Sequence, residues 1–246
     1  MLAVEDSTAG RFLDGLGAQL PRPRAIVVAS AHFEADRPSV GAAPQPQTVH
    51  DFGGFPQQLY RIRYPAPGAP ELAEAIAGRL SDAGLAPRTC SHHWLDHGIW
   101  VPLLRAYPEA DIPVVPLSVN PRADAAHHFA VGRALAPLRE GGVLVIGSGG
   151  FVHNLRDLDW GRRDAPMPAW ASDFAVWMRA RLEAHDLDAL LDWERQAPAA
   201  RKSHPTVEHL MPLFVALGAG GDAPRVRSLH RSHEFGSLAL DAFAFD

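Results

Sequence analysis

The sequence has 246 residues, is 47% hydrophobic and 21% charged, and carries a net charge of −5. That make-up suits one packed globular domain, and its acidic, evenly mixed charge excludes the basic face that nucleic acid or an anionic membrane requires. No apolar run reaches the roughly 18–20 residues of a bilayer span. The first twelve residues, MLAVEDSTAGRF, have neither the basic nor the apolar region of a secretory signal. One cysteine, Cys90, permits no internal disulfide and points to a reducing, cytoplasmic setting.

In chain order, Glu5 to Leu20 reads as an amphipathic helix with Phe12, Leu13 and Leu16 on one face, stopped by PRPR (21–24). Ala25 to Ser30 (AIVVAS) is a continuous apolar run, the mark of a strand buried on both faces. AHFEADRP then turns the chain towards a short strand, Ser39 to Ala43. From Pro44 to Pro70 no period is sustained, and a loop of that length in a compact domain is usually functional. Pro70 to Gly84 is a helix with Pro at its start and Gly at its end, and Gly98 to Tyr107 is another. Pro113 to Val119 is a second buried strand. Ala123 to Glu140 is a helix stopped by Gly141 and Gly142, and Gly142 to Gly147 (GVLVIG) is a third buried strand. Met167 to His185, Leu187 to Trp193 and Thr206 to Leu217 read as helices, and Arg225 to Leu229 and Ser237 to Phe245 as closing strands. Strands alternating with helices predict an α/β fold: one domain over residues 1–246, with a central mostly parallel or mixed sheet flanked by helices.

Thirteen histidines are more than such a composition explains, and histidine is the commonest metal ligand. In open α/β sheets ligands bind beyond the carboxyl ends of the strands, which singles out four of them. His50 sits in TVHDFGGFP (48–56), where Gly53 and Gly54 permit close approach or positive φ, and Phe52 and Phe55 can wall an apolar pocket. His153, in IGSGGFVHN (146–154), directly follows the GVLVIG strand. His97, in WLDHGIW (94–100), stands at a helix start that Asp96 can cap. His209, in SHPTVEHLMPLF (203–214), falls in the first turn of a helix, beside Glu208. Adjacent helical residues point about 100° apart, so only one of that pair can face a given metal. Taken singly, each also fits a hydrogen-bonded structural histidine. HExxH and CxxC are absent. The glycines after GVLVIG lack the P-loop and GxGxxG patterns. Ser148 lacks a G-x-S-x-G elbow, because position 146 is Ile.

Five segments together are more specific: SAHFE (30–34), HDFGGFPQQLYRIRYPAPG (50–68), LDHGIWVPLLRAYPEADIPVV (95–115), IGSGGFVHNLR (146–156) and HPTVEHLMPLFVALGA (204–219). In this order they resemble the class III extradiol ring-cleavage dioxygenases, in the branch similar to 4,5-DOPA dioxygenase, over nearly the whole chain. The resemblance implies a single-domain α/β fold and a mononuclear non-haem metal, Fe(II) for turnover and Zn(II) in recombinant material. It implies cleavage of a catechol-type ring by O2 to a semialdehyde. By motif, His50 and His209 would be metal ligands. His153 would be the acid–base histidine and close enough to count as a ligand, and His97 would line the substrate pocket. The family's first ligand, a His in an H-G-S-P segment, normally lies just upstream of MLAVEDSTAGRF; a start assigned too far downstream is the favoured expectation, with a true deletion as the alternative. The sheet edge left without that strand makes a homodimer the expected assembly. Two other readings stay open from sequence: a non-catalytic metal-binding protein on the same fold, and a metal-assisted hydrolase.

Overall fold

The structure, a computed structural model, describes residues 2–91 and 94–246. Helix α1 (Thr8–Gln19) is capped by the Ser7 hydroxyl, which accepts from the Gly10 N–H at 2.9 Å. Strand β1 (Ala25–Glu34) and strand β2 (Ser39–Gly41) follow, and then helix α2 (Pro70–Asp82), strand β3 (Arg88–Cys90) and helix α3 (His97–Ala106). Strand β4 (Val114–Val119), helix α4 (Ala125–Leu135) and strand β5 (Val143–Ser148) complete the central sheet and its cover. After them come α5 (Ala169–Glu183), the short helices α6 (Leu187–Leu191), α7 (Trp193–Gln196) and α8 (Ala200–Ser203), and α9 (Met211–Ala219). Strands β6 (Val226–His230) and β9 (Ala242–Phe245) pair antiparallel, as do β7 (His233–Glu234) and β8 (Leu238–Ala239).

The five-stranded sheet runs β3-β2-β4-β1-β5. β1 is parallel to both β4 and β5, while β2 is antiparallel to β4, so the sheet is mixed, as the element pattern predicts. Ser30 of β1 lies level with Ser118 of β4 and Ser148 of β5. Three carboxyl ends therefore open at one height, and the site stands there. The unbroken apolar run of β1 is explained by its two faces. Ile26 and Val28 pack with Trp100 and Leu103 of α3, whereas Val27 and Ala29 pack with Ile76 and Leu80 of α2, Val131 of α4 and Val215 of α9. Among the described residues no helix is long and apolar enough to cross a membrane.

Several boundaries differ from the sequence reading. β1 does not turn at Ala31 but continues, with a register shift between Ser30 and Glu34. The helix expected over Ala123 to Glu140 becomes a 3-10 turn at Ala136–Gly141, because Pro137 has no N–H for the α-helical ladder. The helix expected from Thr206 begins at Met211. Pro212 is tolerated only in a first turn, and the His209 carbonyl is taken by the Gly150 N–H at 2.9 Å. The closing strand Ser237 to Phe245 is split into β8 and β9, and β3 was not foreseen.

Helices α4 and α9 pack backbone against backbone. A Cβ on Gly132 would lie 2.1 Å from the Val215 carbonyl, and one on Gly218 would lie 2.2 Å from the Phe129 carbonyl. Both helices would have to separate to admit a methyl group. Gly132→Ala is expected to destabilise the fold by about 1–3 kcal/mol, read as a lower urea midpoint at unchanged slope.

A second prediction comes from His128 of α4, a buried imidazole outside the His32–Asp51–His97 group. Its Nε2 accepts from the Asn120 N–H at 3.0 Å and its Nδ1 lies 2.7 Å from the Asp124 carbonyl, to which it donates. Burial holds this neutral ring down to about 4, against about 6.5 in the unfolded chain. Between those values the unfolded state binds more protons, so stability falls as pH falls from about 6.5 towards 4. At pH 5 the loss from this one group is about 2 kcal/mol. His128→Gln should flatten the dependence of unfolding free energy on pH between 7 and 5, measured by urea titration. A variant as acid-labile as the parent would remove His128 from the account.

Candidate active site

His32 lies on the last turn of chain in β1, two residues beyond Ser30. Asp51 comes from the long loop between β2 and α2. That loop is tied down where the Val49 N–H donates to the Leu95 carbonyl (3.0 Å), the Leu95 N–H donates to the Gln47 carbonyl (2.8 Å) and Trp100 Nε1 donates to the Val49 carbonyl (2.9 Å). His97 opens α3. Its N–H donates to Asp51 Oδ1 at 2.9 Å, so the loop supplies the helix cap. Asp96, expected from sequence to cap this helix, makes no cap bond. It is buried instead and accepts from the Ser30 hydroxyl at 2.7 Å. Burial first, and then the nearby Asp51 charge, push Asp96 up to about 6 against the Ser30 bond, which lowers it.

These elements bring His32, Asp51 and His97 together, each offering a ligand atom within 4.8 Å of the others. His97 Nδ1 stands 2.9 Å from Asp51 Oδ2, and His32 Nδ1 stands 3.4 Å from the same oxygen. Even so, His97 Nδ1 is buried without an aligned hydrogen-bond partner. Two ligand atoms held at about 2.1 Å and a right angle on one metal sit about 3 Å apart, so the pair has the spacing of co-ligands and not the alignment of a hydrogen bond. The side chains keep 27%, 28% and 30% of their surface, so a small ion and substrate can reach them. Burial, and then the His97 ring, hold His32 down to about 4. Burial pushes Asp51 up, but its contacts with the His97 ring and backbone outweigh this and keep the carboxyl at about 2. Near neutral pH the donors are thus a neutral imidazole at His32 and an ionised carboxylate, the states that bind metal.

Two more imidazoles adjoin. The His153 and His209 rings stack at 3.4 Å with an interplanar angle of 12°, and His209 meets His32 edge-on at 5.0 Å. His153 is set by its N–H donating to the Ser203 carbonyl at 3.0 Å. The turn holding His209 is pressed against the glycine run, where a Cβ on Gly149 would lie 2.1 Å from the His209 carbonyl. Burial lowers both rings; for His209, with the neighbouring His153 and His32 rings adding to it, the result is about 2. Neutral imidazoles of this kind accept protons readily only when a strong acid is brought to them. A cavity of about 340 Å³ opens over His32, His153 and His209, walled also by Glu34, Arg156 and Glu208.

Of the four histidines singled out by sequence, His97, His153 and His209 join this cluster. His50 is elsewhere. Its Nε2 lies 3.1 Å from the Ile62 carbonyl, and its ring packs against Trp100 (5.6 Å), Phe52 and Tyr60 (5.8 Å each). In the HD pair of that loop it is Asp51 that faces the cluster. Gly54 does use positive φ (78°), but neither Gly53 nor Gly54 is approached closely. Sequence reasoning gave no role to His32 or Asp51. The signal for His32 was its place just past a buried apolar run.

The family model described as the catalytic LigB subunit of aromatic ring-opening dioxygenase matches residues 14–240. The chain belongs to this family. Membership makes it an oxidoreductase of the ring-opening dioxygenase type. The chain is 40% identical to the 4,5-DOPA dioxygenase extradiol of Beta vulgaris, covering 100% of this chain and 92% of that one. It is 41% identical to the protein of the same description from Escherichia coli K12, covering 98% and 89%. The crystal structure of an uncharacterized Escherichia coli K12 protein superposes with a TM-score of 0.81 at 34% identity, covering 98% of this chain and 93% of that one. This LigB-family member therefore has the mixed α/β fold of its structural neighbour.

Proposed function

We propose that the protein opens a catechol-type ring beside its diol, using O2 and a divalent metal, Fe(II) for turnover, to give a semialdehyde. The observation that carries this reading is a His–Asp–His group that meets, through His32, a stacked pair of neutral imidazoles lining one cavity. His32, Asp51 and His97 would hold the metal, since two imidazoles and one carboxylate form the donor set of non-haem iron oxygenases. The unaligned, buried Nδ1 of His97 fits that role. The set departs from the ligands implied by resemblance, His50, His209 and His153: His32 and Asp51 stand where His50 was expected, and the stacked pair faces the cavity. Bound there, the metal would supply Lewis acidity towards the diol and an electron route to oxygen.

The chain's own groups do the rest. His153, beside the cavity and electrostatically close to the Glu208 carboxylate, takes the proton from a diol hydroxyl made acidic by the bound metal and returns it when the ring opens. His209 holds the His153 ring in place by stacking at 3.4 Å. Phe52, edge-on to His97 at 5.5 Å, supplies an apolar wall against which an aromatic ring can lie. One free cysteine, Cys90, supports a cytoplasmic setting.

The test is anaerobic reconstitution with Fe(II), then exposure to air with a catechol while oxygen uptake and yellow absorbance are followed. Stoichiometric oxygen consumption with a yellow product is the expected result. Metal retained with no oxygen uptake on any catechol would overturn the reading.

A further inference from the structure

His32 and His97 come from different elements, joined by a buried pair of side chains to which the ring chemistry gives no part. The register of β1 with β4 jumps from Ser30–Ser118 to Glu34–Val119, and its register with β5 ends at Ser30–Ser148, so His32 falls between paired positions. Its N–H donates instead to the Ser30 hydroxyl oxygen at 3.2 Å. That hydroxyl donates in turn to Asp96 Oδ1 at 2.7 Å, and Asp96 immediately precedes His97. Level with Ser30 on β5, the Ser148 hydroxyl donates to the carbonyl of Gly98, the residue after His97. Two serines at strand ends thus seat the first turn of α3. Gly98 leaves room for the seat: a Cβ there would lie 2.6 Å from Ser30 Oγ and 3.0 Å from Asp96 Oδ1. Ser30 is fully buried, Asp96 is 2% exposed, and Asp96 Oδ2 has no hydrogen-bond partner among the described residues. A carboxyl in that state costs stability, and well-packed apolar side chains would fill the same space without that cost.

We infer that Ser30 and Asp96 are positioning residues for the metal group: their hydrogen bond fixes His32 and His97, whose ring centroids stand 3.9 Å apart, at the spacing of two ligands on one ion. The inference rests on the reading of His32, Asp51 and His97 as the group that holds the metal. Asp51 secures His97 from the loop side. The Ser30–Asp96 pair secures it from the sheet, and the same hydroxyl holds the His32 backbone. One oxygen atom therefore ties both imidazoles to one frame. Ligands held in place before the ion arrives lose little freedom when it binds, so the groups behind them carry part of the metal affinity.

The experiment titrates Co(II), whose visible bands report its coordination, into the metal-free protein and three variants: Asp96→Asn, Ser30→Ala and the two combined. Asparagine keeps an oxygen that accepts from Ser30, so Asp96→Asn should bind Co(II) as the parent does. Ser30→Ala and the combined variant should bind it about 10–100-fold more weakly and with altered bands, although every proposed ligand is intact. The combined variant leaves no unpaired carboxylate buried, so it decides the matter should Ser30→Ala not fold. Parental affinity in the combined variant would overturn the inference, as would an equal loss in Asp96→Asn alone, which would place the effect in the charge. So would a lower urea midpoint with unchanged Co(II) affinity and bands, the mark of a pair that only stabilises the fold. His32→Ala, titrated alongside, separates this failure from that of the ligand reading. If it binds Co(II) as tightly as the parent, the ligand reading fails, and the spacing is read without metal from the nuclear Overhauser effect between the His32 and His97 rings. Loss of that signal in the combined variant supports the inference, and its persistence overturns it.

Discussion

Asp51→Asn is expected to lose most of its bound iron, whereas His209→Ala should keep it. The carboxylate is the only charged donor in the His32–Asp51–His97 group. Changing a residue that merely supports a ligand commonly weakens metal binding by about 10–100-fold, and removal of a ligand should exceed that. Asparagine is the informative replacement. Its Oδ1 can still accept the His97 N–H that Asp51 now takes at 2.9 Å, so the cap of α3 and the fold survive while the anionic donor is gone. His32→Ala should behave as Asp51→Asn does. Metal content after gel filtration, with circular dichroism as the control for folding, reads the result. The opposite pattern, iron kept by Asp51→Asn and lost by His209→Ala, would reinstate His209 as a ligand and sink the His–Asp–His assignment. His50→Ala should retain the metal in either case, because that ring is spent on the Ile62 carbonyl and the Trp100 face.

Why the proposed His32–Asp51–His97 group was only half legible follows from what a sequence can encode locally. Burial on both faces of a strand leaves a direct trace, so AIVVAS and PVVPLSV located β1 and β4; the apolar run GVLVIG located β5 as well, although that edge strand is buried at Val143 and only partly covered beyond it. Direction leaves no such trace in a loop. In the HD pair at 50–51 the histidine was the obvious ligand by type, yet the loop is held by Trp100 and Leu95 so that the aspartate faces His32 and His97. His32 was passed over for a related reason: polar residues after AIVVAS look like a turn, whereas the strand continues to Glu34 through a register shift. The turn before α9 shows a third limit. The pattern from Thr206 is compatible with helix, and what decides against it is the Gly150 N–H holding the His209 carbonyl, a contact 59 positions away in sequence that becomes visible only in the folded chain. The resemblance of five segments in order carried what local reading could not, namely that His97, His153 and His209 belong to one centre.

His153→Ala should reduce kcat by about 10²- to 10⁴-fold, the usual worth of a positioned acid–base group, and do so with iron content unchanged. The two readouts together separate this role from that of a ligand. They also separate it from a packing role. The ring of His153 lies flat against His209, so its removal leaves a gap that water or a repacked His209 can fill, and some loss of order in the pocket is unavoidable. A loss of order alone would raise KM for every catechol and would be relieved by His153→Gln, which restores bulk without a basic ring nitrogen. Loss of the proton acceptor lowers kcat and is not relieved by Gln. Among the described residues the site has no second group placed to substitute. His209 shares the stack, but burial and its charged-form repulsion from four neighbouring imidazoles hold it near 2, which makes it a far weaker base. His97 is committed to Asp51. A His153→Gln variant with near-normal turnover would therefore remove proton transfer from His153 and leave the stacked pair with a steric role only.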